Sequence, residues 1–396
     1  MINNNVAKLP TASRLHGIEE YYFSQKLQQI AALNAAGTPI INLGIGSPDM
    51  PPHPLVVKAL TISAALPNTH SYQSYKGTPA LREAIATWYY THYHVTLNAT
   101  TEVLPLMGSK EGIMHLCMAY LQAGDIALIP NPGYPTYSSA ATLAGATCGY
   151  YNLVQGNHWL PNYEEIEAST DMDKVKLLFV NYPHMPTGAT CTSKHFESII
   201  NFAHKHNLLV LHDNPYSHIG TNNPQSILQV KGASEVCVEL NSLSKSLNMA
   251  GWRVGMLVGN ATVISNALRF KSNMDSGMYL PVQQAAIAAL QLPSSWYTTL
   301  NETYASRQLI ALQIADALGC TYQTNQQGLF VWAKLSSNTY ADGYAISDAV
   351  LVQCQVFITP GAIFGSNGNQ YIRISLCQPN TVLQQALESI HQNFIH

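Results

Sequence analysis

Residues 241–255 of the chain read NSLSKSLNMAGWRVG, in which Lys245 stands among small hydroxyl residues and Arg253 follows eight residues later. The second half of this stretch is rich in small and apolar residues. We therefore expect the Lys245 amine to be partly desolvated, which lowers its pKa and favours the neutral form. A neutral amine is what forms a Schiff base with an aldehyde. The stretch predicts a reactive lysine just after a strand.

An acidic residue lies upstream. The apolar run 208–212 leads directly into residues 213–216, DNPY, so Asp213 ends a predicted strand. Ligands of doubly wound sheets bind at the carboxyl ends of the strands. This position therefore makes Asp213 a second candidate site residue.

Short apolar runs alternate with helical patterns from about residue 78 onward. The predicted strands are 126–129, 176–181, 208–212, 236–240 and 254–258, and the predicted helices among them are 80–93, 111–121 and 194–206. Strands of this kind separated by helices indicate an α/β fold, with a mostly parallel sheet covered by helices on both faces. We assign this large domain to residues 46–290.

The last third of the chain has a different pattern. A helix at 296–318, strands at 329–334, 356–359 and 371–375, and a helix at 381–394 predict a smaller α+β domain over residues 291–396. Residues 1–45 form a predicted arm and helix, about 17–36, that packs with the small domain. Both chain ends therefore contribute to it.

The composition excludes several classes of protein. Only 10% of the 396 residues are charged, against roughly 25% in an average soluble protein, yet 47% are hydrophobic, which excludes a disordered chain. The net charge of −3 without basic clusters argues against nucleic acid. Apolar runs far shorter than a membrane span, and an N-terminus unlike a signal peptide, predict a cytoplasmic protein without a membrane partner. The scattered cysteines and histidines predict no metal site.

Two glycine motifs are weak by themselves. Residues 44–46, GIG, lack the third glycine and the following helix of a dinucleotide site. Gly108-Ser109-Lys110 precedes a predicted helix, whose free N–H groups could hold a phosphate. Taken alone, an ordinary serine cap explains this second motif better.

Taken together, these segments resemble the class I and II aminotransferases of the pyridoxal-phosphate-dependent fold-type I superfamily, over residues 42–375. The resemblance implies pyridoxal 5'-phosphate as the cofactor. It implies that Lys245 holds the cofactor as a Schiff base and later moves the substrate proton. Asp213 matches the carboxylate that keeps the pyridine nitrogen protonated, and Tyr216 matches the phenol that hydrogen-bonds the cofactor's 3'-oxygen.

The resemblance also implies a phosphate site. Arg253 and Ser242 match phosphate ligands of the family. Gly108, Ser109 and Lys110 match the helix N-terminus that holds the phosphate, which replaces the serine-cap interpretation.

Four further residues match positions of the family outside these segments. Tyr134, within residues 132–137, PGYPTY, resembles the aromatic residue that stacks on the cofactor ring. Tyr72 resembles the tyrosine that reaches the phosphate in the neighbouring subunit, which implies a homodimer with shared sites. Arg373 matches the arginine that binds the substrate α-carboxylate, a task suited to its planar fork. Gly44 matches the point where the backbone approaches the substrate.

One position departs from the family pattern. The usual Asn-Pro-Thr-Gly is here Met-Pro-Thr-Gly at residues 185–188. Methionine cannot donate a hydrogen bond to the cofactor's 3'-oxygen, so Tyr216 becomes the chief donor. We expect the pKa of the lysine Schiff base to be higher than usual, unless Asn181 or His184 compensates for Met185.

The expected reaction moves an amino group between an L-amino acid and a 2-oxo acid. Residues 273–279 lack the distal-carboxylate arginine of some relatives, whereas Lys110 matches a lysine that replaces it in others. This favours glutamate/2-oxoglutarate or aspartate as one partner. The alternatives are a lyase, decarboxylase or synthase of the same fold, or a non-catalytic sensor. Tyr21, Tyr22 and Tyr279 are candidates for the side-chain pocket.

Overall fold

The computed structural model of the chain describes residues 10–18, 22–336 and 339–395. A seven-stranded sheet forms its centre. In order across the sheet, the strands are β2 (Val103–Leu106), β8 (Gly255–Gly259), β7 (Cys237–Ser242), β6 (Leu209–Asp213), β5 (Val175–Val180), β3 (Ile126–Asn131) and β4 (Thr147–Asn152). Strand β8 runs antiparallel to both of its neighbours, and the other pairs are parallel. The predicted mostly parallel sheet is confirmed.

Helices precede, connect and follow these strands. They are α2 (Pro54–Ala64), α3 (Pro79–Tyr93), α4 (Ser109–Tyr120), α5 (Pro135–Leu143), α6 (Tyr163–Ser169), α7 (Ser193–His206), α8 (Ala233–Val236), α9 (Leu243–Ser246), α10 (Ala261–Lys271) and α11 (Leu280–Leu290). Alternate residues of β5 belong to different hydrophobic cores. Leu177 and Phe179 belong to the core that contains α4, α5 and α10, whereas Leu178 and Val180 belong to the core that contains α7. Helices thus cover both faces, as parallel sheets require.

The C-terminal part builds a second sheet. Its elements are α12 (Ser294–Ala317), β9 (Cys320–Tyr322), β10 (Phe330–Leu335), α13 (Gly343–Cys354), β11 (Val356–Phe357), β12 (Thr359–Pro360), β13 (Tyr371–Ser375) and α14 (Asn380–Asn393). Strands β12, β13, β10 and β9 form an antiparallel sheet in that order. The single strand predicted at 356–359 is two short strands in different sheets.

The N-terminal segment joins this part of the fold. Helix α1 (Tyr22–Ala35) leads to strand β1 (Ile41–Asn42), which pairs in parallel with β11. The domain boundaries after residues 45 and 290 stay predictions. Among the described residues, no helix is long and apolar enough to cross a membrane.

Candidate active site

A cavity of about 400 Å³ opens where the carboxyl ends of β6 and β7 approach the start of α4. Most of the predicted site residues line it. They are Ser109, Lys110, Tyr134, Asp213, Tyr216, Ser242, Lys245, Arg253 and Arg373. The other three, Gly44, Tyr72 and Gly108, are not among its lining residues.

Lys245 lies on α9, the short helix that follows β7. Its Nζ donates a hydrogen bond to the Gly46 carbonyl at 2.6 Å and lies 5.9 Å from the centre of the Tyr216 ring. Burial lowers the pKa of Lys245, the direction expected from the apolar residues around it. The amine therefore loses its proton more readily than an exposed lysine.

Asp213 is the last residue of β6 and is buried. Tyr137 donates its hydroxyl proton to Oδ2 at 2.8 Å. Within the described part of the chain no donor reaches Oδ1, so this buried oxygen can accept a hydrogen bond from a bound molecule. Burial raises the pKa of Asp213 to about 6, although the Tyr137 hydrogen bond and nearby positive charge act to lower it.

A buried pair lies directly behind Asp213. His212 Nδ1 lies 2.9 Å from Glu239 Oε2, across the β6–β7 ladder, and its Nε2 donates to the Tyr182 carbonyl at 3.1 Å. Glu239 also accepts hydrogen bonds from Tyr89 and Ser226. This network fixes β6 against β7, and with them the positions of Asp213 and Ser242.

The start of α4 has room for an anion. Gly108, the N-cap, has a φ of +85°. A Cβ there would lie 2.1 Å from Arg253 Nη2, so any other residue would fill the space beside this arginine. A Cβ at Gly255 would lie 2.6 Å from the Ser109 nitrogen. The first N–H groups of a helix have no partner within the helix and attract negative charge. Together with Arg253 and Ser242 they can hold a phosphate.

Arg373 projects from β13 on the opposite side of the cavity. Its Nη2 donates to the Gly44 carbonyl at 2.7 Å. Gly44 thus holds this arginine through its backbone, and a Cβ there would lie 2.2 Å from the Phe357 ring. The requirement for glycine at residue 44 is therefore one of packing, whereas Ile45 and Gly46 line the cavity.

Three phenylalanines surround the Arg373 guanidinium. Its Cζ lies 3.8 Å from the ring centre of Phe330, 4.6 Å from Phe364 and 5.5 Å from Phe23. Cation–π contacts of this kind strengthen when water is excluded. Leu27, one turn after Phe23 on α1, also lines the cavity, which makes this wall apolar.

Met185 lies between the side of the cavity that contains Asp213 and the wall that contains Arg373. Arg373 Nη1 is 3.4 Å from its sulfur, and its backbone N–H donates to Asn181 Oδ1 at 2.7 Å. Asn181 lines the cavity and also donates to the Asp213 carbonyl. His184 does not line it, and its Nδ1 pairs with Thr187 at 2.8 Å. Of the two residues proposed to compensate for Met185, only Asn181 is in place to do so.

The aromatic residues predicted for the site take different places. Tyr134 lines the cavity and meets the Tyr137 ring edge-on at 5.5 Å. Tyr72 is 90% exposed and is not among the residues that line the cavity of its own chain. Tyr22 and Tyr279 do not line the cavity, and Tyr21 lies outside the described residues.

Sequence reasoning missed some residues of the site. Tyr137 belongs to the aromatic motif 132–137, and that motif was the available signal. Phe23 and Leu27 come from a helix more than 200 residues before Lys245, and nothing in the sequence connects them to it.

The family model described as aminotransferase class I and II matches residues 38–390. The chain belongs to this family. The chain is 39% identical over 381 residues to an LL-diaminopimelate aminotransferase of Dehalococcoides mccartyi. The aligned region covers 96% of this chain and 97% of that protein.

Solved structures agree with this assignment. The aminotransferase superposes on BacF from Bacillus subtilis with a TM-score of 0.92 and 36% identity, covering 97% of this chain and 98% of that one. It superposes on a probable N-succinyldiaminopimelate aminotransferase from Thermus thermophilus with a TM-score of 0.85 and 31% identity, covering 93% of this chain and 99% of that one. Like its family, the aminotransferase depends on pyridoxal phosphate.

Proposed function

We propose that the aminotransferase works at this cavity, with Lys245, Asp213 and the start of α4 holding pyridoxal phosphate. One observation carries the proposal. A partly desolvated amine, a buried carboxylate oxygen without a donor among the described residues, and a helix start with a glycine N-cap meet at one cavity. These groups fit the aldehyde, the ring nitrogen and the phosphate of the cofactor.

The phosphate end would be held by N–H groups and side chains. Ser109 and Lys110 supply N–H groups from the first turn of α4, and Gly108 leaves space for them. Ser242 and Arg253 complete the set, and Arg253 is held by its Nη1 hydrogen bond to a backbone carbonyl.

The ring end would be held by three side chains. Asp213, Tyr216 and Tyr134 line the cavity. With the cofactor bound, Asp213 would accept a hydrogen bond from the ring nitrogen, Tyr216 would donate one to the 3'-oxygen, and Tyr134 would stack on the ring. When bound, the cofactor supplies an electron sink for the substrate Cα. A negatively charged Asp213 keeps the nitrogen protonated, which strengthens that sink.

The proton transfer would fall to Lys245. Because burial lowers its pKa, Lys245 loses its proton more readily, and the neutral amine can then take the proton from the substrate Cα and pass it on to the cofactor. Arg373 binds the α-carboxylate through its planar fork, and Phe330 and Phe364 exclude water around that contact.

We propose a dicarboxylate, glutamate/2-oxoglutarate or aspartate, as one substrate. Among the described residues, four basic side chains line the cavity, Lys110, Lys245, Arg253 and Arg373, and one acidic side chain, Asp213. Lys245 and Arg253 are assigned to the cofactor, and Lys110 and Arg373 to the substrate. Two basic side chains at the substrate favour a substrate with two carboxylates. Lys110 is the residue proposed for the distal one.

LL-diaminopimelate is the first amino donor to test, because the relatives that cover nearly the whole chain carry that name. A second candidate is an apolar or aromatic amino acid. Phe23, Leu27 and Phe364 form an apolar wall next to Arg373, and such a wall favours an uncharged side chain.

The half-reaction decides among these candidates. Holoenzyme is mixed with each of the twenty amino acids and LL-diaminopimelate, and conversion of the bound cofactor to its amine form is followed by absorbance. We expect conversion by glutamate or aspartate and by one of the two proposed donors. Release of product without conversion of the cofactor would instead identify a lyase or decarboxylase.

Lys110→Ala tests the dicarboxylate assignment. We expect a lower kcat/KM for glutamate but not for amino acids with one carboxylate, because only the distal carboxylate loses its partner. Lys194→Ala, an exposed lysine on α7, is the control. An unchanged kcat/KM for glutamate in Lys110→Ala would refute the assignment.

We also propose a homodimer in which Tyr72 serves the partner's site. An exposed apolar surface near Tyr72 supports it. Leu55, Ile62 and Leu66 of the α2 region and Met274 are about half exposed, and Tyr279 lies beside His70 with ring centres 5.9 Å apart. Analytical ultracentrifugation tests the dimer, and a monomer with full activity would refute it. The predicted cytoplasmic location stays a prediction.

A further inference from the structure

A cluster of buried charged groups lies behind the start of α4. Glu111 and His115 come from α4, Lys271 ends α10, and Asp275 follows four residues later. Lys271 Nζ donates to Glu111 Oε1 at 2.9 Å and makes an ion pair with Asp275. His115 Nε2 donates to the same Glu111 oxygen at 2.9 Å. The Lys271 side chain is only 3% exposed, so the cluster is shielded from water.

The chain supplies its own cation here. Ligand atoms of Glu111, His115 and Asp275 lie within 4.8 Å of one another, a spacing that also suits a metal ion. The Lys271 ammonium pairs with both carboxylates instead. Burying a charge is costly unless it is paired, so each member of the cluster depends on the others.

The second oxygen of Glu111 is used differently. Glu111 Oε2 accepts a short hydrogen bond from the backbone N–H of Met107. Glu111 is the third residue of α4 and Met107 directly precedes the N-cap, so the side chain reaches back over the helix start. A capping box uses the same position to hold the N-cap residue itself. Glu111 therefore fixes the backbone just before Ser109 and Lys110, which line the cavity.

A carboxylate at this place opposes a nearby phosphate unless its charge is balanced. Lys271 provides that balance at hydrogen-bond distance. Burial acts to raise the pKa of Glu111, but the interactions within the cluster, the hydrogen bond with His115 first among them, outweigh it and hold the pKa at about 2. Glu111 is therefore ionised at neutral pH, with both of its oxygens in use.

We propose that Glu111 is a positioning residue for the cofactor's phosphate, bridging the Met107 N–H and the Lys271 ammonium so that the start of α4 is preset to bind the anion. This inference rests on the proposed function of that helix start. Glutamine has one acceptor oxygen, so Glu111→Gln can satisfy Met107 or Lys271 but not both. Glu111→Asp keeps the charge but is too short to span both groups.

The test compares pyridoxal phosphate with pyridoxal, which lacks the phosphate. Dissociation constants of both are measured by absorbance titration of the cofactor-free protein and each variant. Loss of one charged hydrogen bond is expected to weaken pyridoxal phosphate binding by about tenfold in both Glu111 variants. Pyridoxal binding should change by less than about threefold, because it makes no contact at the helix start.

Asp275→Asn is the matched control, since Asp275 pairs with Lys271 but does not contact Met107. It should weaken pyridoxal phosphate binding less than Glu111→Gln does. Equal loss of both ligands in the Glu111 variants, or an undiminished preference for the phosphorylated one, overturns the positioning role. A wild-type protein without that preference would instead refute the proposed phosphate site. Glu111→Asp keeps the test decisive if Glu111→Gln does not fold.

Discussion

The two walls of the cavity are built in different ways. The wall proposed to hold the cofactor comes from the ends of adjacent strands, with Asp213 on β6 and Ser242 on β7, joined by backbone pairing and a buried His212–Glu239 pair. The wall around Arg373 is assembled from α1, β10, β13 and the short turn Gly361–Phe364, and it is mainly aromatic. One wall is polar and fixed by a single sheet, whereas the other depends on how distant segments pack. Changes in one wall should therefore leave the other largely intact.

The largest expected effect is that of Lys245→Ala on the polar wall. Removing the amine removes both the cofactor attachment and the proton carrier, so kcat/KM should fall by more than about 10³-fold. Steady-state kinetics measure this, with Lys194→Ala as the control. Residual activity within tenfold of wild type would refute the role of Lys245.

Asp213 gives the polar wall a pH dependence in the cofactor-free protein. Its pKa is about 6 in the folded protein, against 3.8 for an unperturbed aspartate. Between these values the folded chain binds a proton that the unfolded chain does not, so stability falls as pH rises from about 4 to 6. The expected loss is on the order of 3 kcal/mol.

Denaturant unfolding of wild type and Asp213→Asn across this range measures that loss. The difference between their free energies of unfolding should change with pH in the stated direction, because the amide does not titrate. A difference that stays constant from pH 4 to 7 would contradict the raised pKa.

Arg373→Lys tests whether the two walls are independent. Lysine keeps the charge but loses the planar fork, so kcat/KM for amino acids should fall by about 10- to 100-fold. Cofactor affinity should not change. A comparable loss of cofactor affinity would show that the two walls are coupled.

Tyr137→Phe should have a smaller effect on the polar wall. It removes one hydrogen bond to Asp213, which is worth about 1 kcal/mol, so cofactor binding should weaken about fivefold. Because that bond lowers the pKa of Asp213, the stability loss should also move to higher pH. Unchanged cofactor affinity together with an unmoved pH range would exclude this role.

Met185 lies between the two walls, and Met185→Asn should have the smallest effect, a shift in the pH at which the bound cofactor's absorbance changes. An asparagine restores a donor beside the cofactor, so the pH at which the bound cofactor's absorbance changes should fall. Met185→Leu, which also lacks a donor, is the control and should leave that pH unchanged. An ordinary wild-type value that Met185→Asn does not move would refute the unusual tuning predicted for this position.

Much of the fold and of the polar wall could be predicted. Strand β13 was placed at its observed residues, and β5, β6, β7 and α7 within two residues, because hydrophobic periodicity is local. Helices α2 and α11 were not predicted, and β11 and β12 were merged. Their short or weakly patterned sequences take their structure from packing on neighbours.

The sequence alone was enough to predict that Asp213 ends a strand, that Lys245 follows the next strand and that Arg253 precedes the one after it, because strand and turn geometry follows from neighbouring residues. That Phe23 reaches Arg373 and that Lys271 pairs with Glu111 became visible only in the folded chain. These partners lie more than 150 residues apart in the chain. Such contacts depend on how helices pack on the sheet, and no local pattern encodes that packing.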